Sequence, residues 1–465
     1  MIRLTWAQPE DLVPHELVAS GEEHKDVAEI ADRWLTAGGS LVAPESGATP
    51  SPAPASLRSF ARDLLDELDA TPAPLHPDEP DELAALEAQW RLANTVDAIA
   101  PFGEVGKLDA PAGRVHGAWL GRAAGCLLGK PVEKTGRAGI RAILEATGEW
   151  PLRRYFTATG LDDVTAAAHP WNRRSAPTSL RENIDGMPED DDLNFPLIAL
   201  RLLESARPSF TVDDVATSWL AHLPGGRVFT AERIVYRNLL DGIEPDIAAT
   251  VRNPFRQWIG AQIRTDVYGW ANPGDPLGAA RLAWQDARLS HRRNGVFGAM
   301  FAAAACAVAV VADDVETVLD VALAVVPPNS RYAEAIRFGR ELGASGLDAE
   351  MAVDELVDRF AGMHWVHVLN NSALLAFALT RGRGDFGATI TTAVAGGWDT
   401  DSVGATAGSI VGALVGADEL PAEWIDPLRN RLASSVPGFD GIGFDVLAER
   451  TTALTGRSIS GGRAS

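Results

Sequence analysis

Apolar positions along this chain recur at helical rather than strand spacing. In LRSFARDLLDELD the residues Leu57, Phe60, Ala61, Leu64, Leu65 and Leu68 fall on one face, the i, i+3, i+4 pattern of an amphipathic helix. The same period runs through HKDVAEIADRWL and DELAALEAQWRLANTVDAI in the first hundred residues. It returns in DDVETVLDVALAVV, RYAEAIRFGREL and MAVDELVDRFA further on. Val296 to Ala312 is an almost unbroken apolar run, short for a bilayer span of about 20 residues, and reads as a buried core helix. Alternating Val, Ile, Thr and Tyr, the signature of strands, is scarce. The pattern predicts an all-α, compact multi-helix protein.

Gly, Ser, Pro and Ala interrupt the pattern in GGSLVAPESGATPSPAPAS and again in TPAPLHPDEPDE. The chain therefore divides into a helical N-terminal extension with Pro/Ala-rich linkers (1–110), a main domain (111–455) and a Gly/Ser/Arg-rich tail (456–465) expected to be disordered. The extension shows no catalytic signal and is expected to dock on the main domain.

Two stretches carry glycine at every fourth position: Gly117, Gly121, Gly125 and Gly129, then Gly404, Gly408, Gly412 and Gly416. Such spacing places all four on one helix face. Glycine costs about 1 kcal/mol relative to alanine inside a helix, so a stripe of them implies close approach of another backbone. The two helices are expected to pack near each other around a shared site.

Composition narrows the function. A formal net charge of −22 leaves no basic footprint for nucleic acid or an anionic membrane, so neither is an expected partner. Only two cysteines occur, Cys126 and Cys306, both in Ala-rich apolar surroundings, which fits a reducing compartment. No signal peptide is visible at the N-terminus, and a cytoplasmic location is expected.

Carboxylates supply the candidate chemistry. Glu189, Asp190, Asp191 and Asp192 precede an apolar helix, with Pro196 expected in its first turn. Four adjacent acids exceed what a helix cap uses, and they repel one another unless a cation offsets them. Asp399 and Asp401, with Ser402 beside them, open the second glycine helix after Gly396-Gly397-Trp398. Residues at i and i+2 of a helix diverge, so convergence requires Asp399 to lie in a turn. Oxygen donors of this kind suit Mg²⁺ or Mn²⁺. Pro131 ends the first glycine helix and leaves Glu133 just beyond it. Weaker signals come from Arg264 and a Gly/Pro/Asn-rich loop, Tyr268 to Pro276, able to hold phosphate or sugar hydroxyls, and from His291. His364 and His367, three apart on an expected helix, read as packing groups.

Three of these segments, GAWLGRAAGCLLGKPVE, PEDDDLNFPLIAL and GGWDTDSVGATAGSIVGALVG, together resemble the ADP-ribosylglycohydrolase family, in its order, over roughly residues 113 to 455. The resemblance implies an all-α fold holding two Mg²⁺ ions, with Mn²⁺ as the variant, that hydrolyses an N- or O-glycosidic bond at ADP-ribose. It implies a partner that is an ADP-ribosylated protein or a small ADP-ribosyl or ribosyl conjugate. Glu189, Asp190, Asp191, Asp399, Asp401 and Ser402 match the metal ligands. Glu133, Asp191 and Asp399 match the catalytic groups, Glu133 orienting or deprotonating a water. Gly260, Arg264, His291, Gly397 and Trp398 fall in the segments lining the substrate cleft. The chain departs from the family pattern at Cys126 for Asp, Glu189 for Thr or Ser, Asp192 for Thr, Ser402 for Thr, and Ile259 for Asn. These departures leave room for hydrolysis of a different ribosyl or nucleoside conjugate, or for a catalytically silent member used in binding.

Overall fold

The computed structural model describes residues 3–74, 76–92, 111–205 and 209–455. The tail from 456 onward, expected to be disordered, lies outside the described residues. Among the described residues there are helices and three isolated bridges, and no strand longer than a bridge, so the protein is all-α. At the centre, helix Asn294–Ala309 is buried along its whole length. It packs against helices Asp266–Trp270, Pro276–Ala287 and Val315–Ala324. Among the described residues no helix is long and apolar enough to cross a membrane.

The tightest contact joins helix Ala112–Gly129 to helix Thr400–Val415. They run antiparallel in a strict register. A methyl group on Gly117 would overlap the Gly412 carbonyl, one on Gly121 that of Gly408, one on Gly125 that of Gly404, and one on Gly129 that of Thr400. Backbones this close leave no room for a Cβ at seven of the eight stripe positions; Gly416 instead ends its helix with φ 81°, a conformation that favours glycine. The expected pairing of the two glycine faces is what the structure shows, and it aligns the end of one helix with the start of the other.

The extension shares one continuous core with the rest. Helix Pro9–Glu22, which the apolar pattern did not announce, docks through charge: Arg256 holds Glu16 at 2.9 Å and Glu23 at 2.7 Å, all buried. Glu79 pairs with Arg331 at 2.8 Å, and the Trp90 indole donates to the Val325 carbonyl at 2.7 Å.

Three local expectations change. Pro196 sits in the second turn of helix Asp191–Ser205 rather than the first. Its missing N–H frees the Asp192 carbonyl, which accepts from Arg122 Nε at 2.8 Å instead. The expected loop at Tyr268–Pro276 begins as helix Asp266–Trp270, where Gly269 lets the turn lie against the Ala303 carbonyl. His364 and His367 precede helix Val368–Gly382 instead of riding on it; His367 caps it and meets Glu22 at 3.2 Å, while His364 stacks on Trp258.

Candidate functional site

The glycine seam delivers two of the three acidic stretches to one place. Helix Ala112–Gly129 passes into a short 3-10 turn, Lys130–Val132, and Glu133 follows. Across the seam, Thr400 Oγ1 donates to the Gly129 carbonyl at 2.8 Å. Gly397 (φ 83°) and Trp398 (φ 64°) turn the chain sharply before Asp399, which occupies the N-cap of the second glycine helix. The Asp399 N–H donates to Asn371 Oδ1 at 3.2 Å. Asp399 therefore lies in a turn, as convergence with Asp401 requires.

The third stretch is brought in by Arg122, which is wholly buried. Besides the Asp192 carbonyl it reaches the Asp266 carboxylate at 2.5 Å, the Ile263 carbonyl and Asp192 Oδ1 at 3.4 Å. Ser402 Oγ then donates to Asp192 Oδ2 at 3.3 Å, closing the link from 192 to 402.

A cleft of about 890 Å³ opens over this junction. Glu133, Asp190, Asp191, Asp192, Asp399, Asp401 and Ser402 all line it, with Ile259, Gly260, Trp171, Phe229 and Trp365 among its walls. Among these six carboxylates Lys130 pairs with Asp190 and Lys134 lies 3.7 Å from Glu133, while Arg122, buried behind the cleft, reaches Asp192. The electrostatic consequences follow from crowding. Burial, then the neighbouring Asp190, Asp401 and Glu133, pushes Asp191 well up. Burial and Asp401 do the same to Asp399. Burial, Asp401 and Asp190 push Glu133 up to about 7, against Lys134 and Lys130. Asp190 alone goes down: burial works against its charge, but the Lys130 ammonium outweighs it. Such a set is short of positive charge. Its donors are oxygens, which fits a hard divalent cation. One soft donor lies beneath: Cys126 can bring its sulfur within 4.8 Å of carboxylate oxygens of both Asp190 and Asp192.

The other residues singled out in the sequence separate into three groups. Glu189 lines the cleft, but its carboxylate is occupied by Arg227 at 3.1 Å, the Asn194 amide at 3.1 Å and the Ser435 N–H at 3.2 Å. Gly260 lies on the wall, where Glu232 leaves no space for a side chain. Gly397 and Trp398 shape the turn without lining the cleft. Arg264 and His291, expected to touch substrate, are corrected by the structure: both are buried beneath the wall. Arg264 is spent on Glu232 at 2.7 Å, Ser290 at 2.8 Å and Asp286, and His291 Nδ1 meets Ser290 Oγ at 2.8 Å.

Several lining residues carry no sequence signal of their own. Lys130 lies beside Pro131, at the end of a segment whose signal is its glycine stripe. Asn172 donates to Glu133 Oε2 at 2.5 Å from a stretch with no periodic or motif signal. Thr5, Trp6, Glu45 and Ser46 reach the cleft from the extension.

A model of the ADP-ribosylglycohydrolase family matches residues 108–458. One solved structure, described as an "ADP-ribosylglycohydrolase-related protein complex", is 20% identical with a TM-score of 0.41, over 75% of this chain and 98% of that one. No curated protein matches the sequence.

Proposed function

Because the chain belongs to the ADP-ribosylglycohydrolase family, we propose that its cleft hydrolyses a glycosidic bond at ADP-ribose, releasing ADP-ribose from a modified protein or a small conjugate. The observation carrying this reading is the meeting of Glu133, Asp190–Asp192 and Asp399–Ser402, far apart in sequence, at one cleft. Asp190, Asp191, Asp399, Asp401 and Ser402 would hold Mg²⁺, or Mn²⁺ in its place. A bound divalent cation supplies positive charge that orients sugar hydroxyls and lowers the pKa of a ligated water.

The chain's own residues do the rest. Water adds to the anomeric carbon as the bond to the leaving nitrogen or oxygen breaks, and positive charge develops on the ring. The carboxylates of the floor favour that charge. Glu133 takes the proton released by the water; burial and the neighbouring Asp401 and Asp190 raise its carboxyl, and with it its basicity, in the metal-free cleft. Asn172 holds one Glu133 oxygen and so aims the other.

The test replaces Asp399 and Asp401 with Asn and follows release of ADP-ribose from an ADP-ribosylated protein and from small ADP-ribosyl conjugates. Turnover should fall below detection while the fold persists. Undiminished turnover with stoichiometric metal still bound would reject the assignment.

A further inference from the structure

The family match begins at residue 108, yet the cleft draws part of its lining from far upstream. Thr5, Trp6, Glu45 and Ser46 line the same cavity as the carboxylates. We propose that this part of the extension determines substrate specificity: Glu45 and Ser46 hold the end of the substrate remote from the scissile bond, the Glu45 carboxylate accepting from an N–H or O–H group there. The inference deepens the functional reading above and rests on it.

Three observations carry it. First, the segment is pinned. The Trp6 N–H donates to the Gly47 carbonyl at 2.5 Å, the Trp365 indole donates to the Glu45 carbonyl at 3.3 Å, and Arg233 donates to both Thr5 oxygens at 2.8 and 2.9 Å. Trp6 is itself seated edge-on against Phe255 and Trp258, at 5.5 and 5.6 Å between ring centres. A backbone fixed this way places its side chains at the cleft mouth with no loop left to order on binding, which leaves only the side-chain ordering cost.

Second, the backbone of the loop is used for anchoring while its polar side chains are spared. Among the described residues, the Glu45 carboxylate and the Ser46 hydroxyl make no hydrogen bond or ion pair, although the Glu45 carbonyl, Thr5 and Gly47 around them all do. Third, depth separates the two ends of the cleft. Asp192, Asp399, Asp401 and Ser402 are buried, whereas Glu45 and Ser46 are exposed. The extension therefore faces whatever part of a bound molecule reaches the mouth, while the sugar being cleaved sits at the acidic floor. On an ADP-ribosyl substrate the remote end is the nucleoside, whose exocyclic amine and ribose hydroxyls are both donors.

The experiment uses the full chain in Mg²⁺ with two probes, ADP-ribose and ribose 5-phosphate, which lacks the nucleoside end. Calorimetry compares wild type with the double variant Glu45→Ala, Ser46→Ala, both exposed positions whose side chains support no other residue. The variant should bind ADP-ribose about tenfold more weakly, the loss of one hydrogen bond to a charged group. Its affinity for ribose 5-phosphate and its melting temperature should not move. Equal ADP-ribose binding by variant and wild type, or an equal loss for both probes, overturns this inference alone. Wild type that binds neither probe overturns the functional reading and this inference with it.

Discussion

Two ionic clusters meet at the cleft wall through Glu232, and they differ in how completely their charged groups are paired. Around Arg264 every arm of the guanidinium is used: Glu232, Asp286 and Ser290 accept from it, Tyr268 donates to Asp286 at 2.8 Å, and the plane lies 4.8 Å over Trp219. At the cleft floor six carboxylates face Lys130, Arg122 and Lys134, which lies 3.7 Å from Glu133. The Arg264 cluster is fully buried, whereas Glu133, Asp190 and Asp191 are half-buried along the open cleft. Pairing separates the two further, since the floor carries more carboxylates than its cations and hydroxyls can satisfy. A closed network holds helices together; an open one has capacity left for a cation and a substrate.

The largest expected effect tests the closed side. Arg264→Leu strands Glu232 and Asp286 in the interior, and removing one partner from a buried network costs about 3–5 kcal/mol. Urea unfolding should show that loss. A change below about 1 kcal/mol would mean the cluster is not a strut, since a surface pair is worth no more than that.

The open side should behave in the opposite way. Asp401→Asn removes a buried repelling charge at constant shape, so the metal-free variant should be no less stable than metal-free wild type. Adding Mg²⁺ should raise the melting temperature of wild type, by the equivalent of about 2.7 kcal/mol at a hundredfold excess over Kd. The variant should lose that rise. Acidity sharpens the contrast. Glu133 binds its proton more tightly folded than unfolded, so the metal-free protein loses stability as pH climbs from the ordinary 4.5 through about 7. Glu79 is the reverse case: Arg331 overcomes burial and holds it down to about 2, so its contribution is present above 4.5 and fades as pH falls toward 2. Unfolding curves in EDTA at pH 5 and 7.5 should show the first loss, and Mg²⁺ should abolish it.

This contrast also explains which parts could be read from the chain. The glycine stripes gave away their helices and their pairing, because a missing Cβ is visible in sequence and has one main cause at that spacing. The acidic stretches were legible because like charges in a row demand an explanation. Arg264 and His291 misled, since nothing local to them announces Glu232 or Asp286; an arginine awaiting a phosphate and one already neutralised look the same in sequence. Helix Pro9–Glu22 was hidden for a related reason. It buries Glu10, Asp11, His15 and Glu16 along with Leu12, Val13 and Leu17, so its apolar period is overwritten by polar side chains, of which Glu10 and Asp11 pair with Arg3 and Glu16 with Arg256.

Lys130 marks the boundary between the two regimes, and the smallest expected effect concerns it. Its amine is buried, pairs with Asp190 Oδ2 and reaches the Glu189 carbonyl at 3.3 Å. Burial opposes its charge, but Asp190, followed by Asp401, outweighs that and keeps it protonated. One unit of the positive charge required by the floor is therefore built into the chain, and it occupies an Asp190 oxygen that a metal would otherwise bind. Lys130→Met keeps the length and apolar stem of the side chain while removing the ammonium. Asp190 is then released, and the floor becomes more negative by one charge. Divalent binding should tighten by about tenfold, the low end of what partners of metal ligands contribute, as measured by Mn²⁺ calorimetry. Weaker binding would reverse the assignment: Lys130 would be orienting Asp190 for the metal rather than competing with it, and the floor would be a prepared site instead of one partly filled from within.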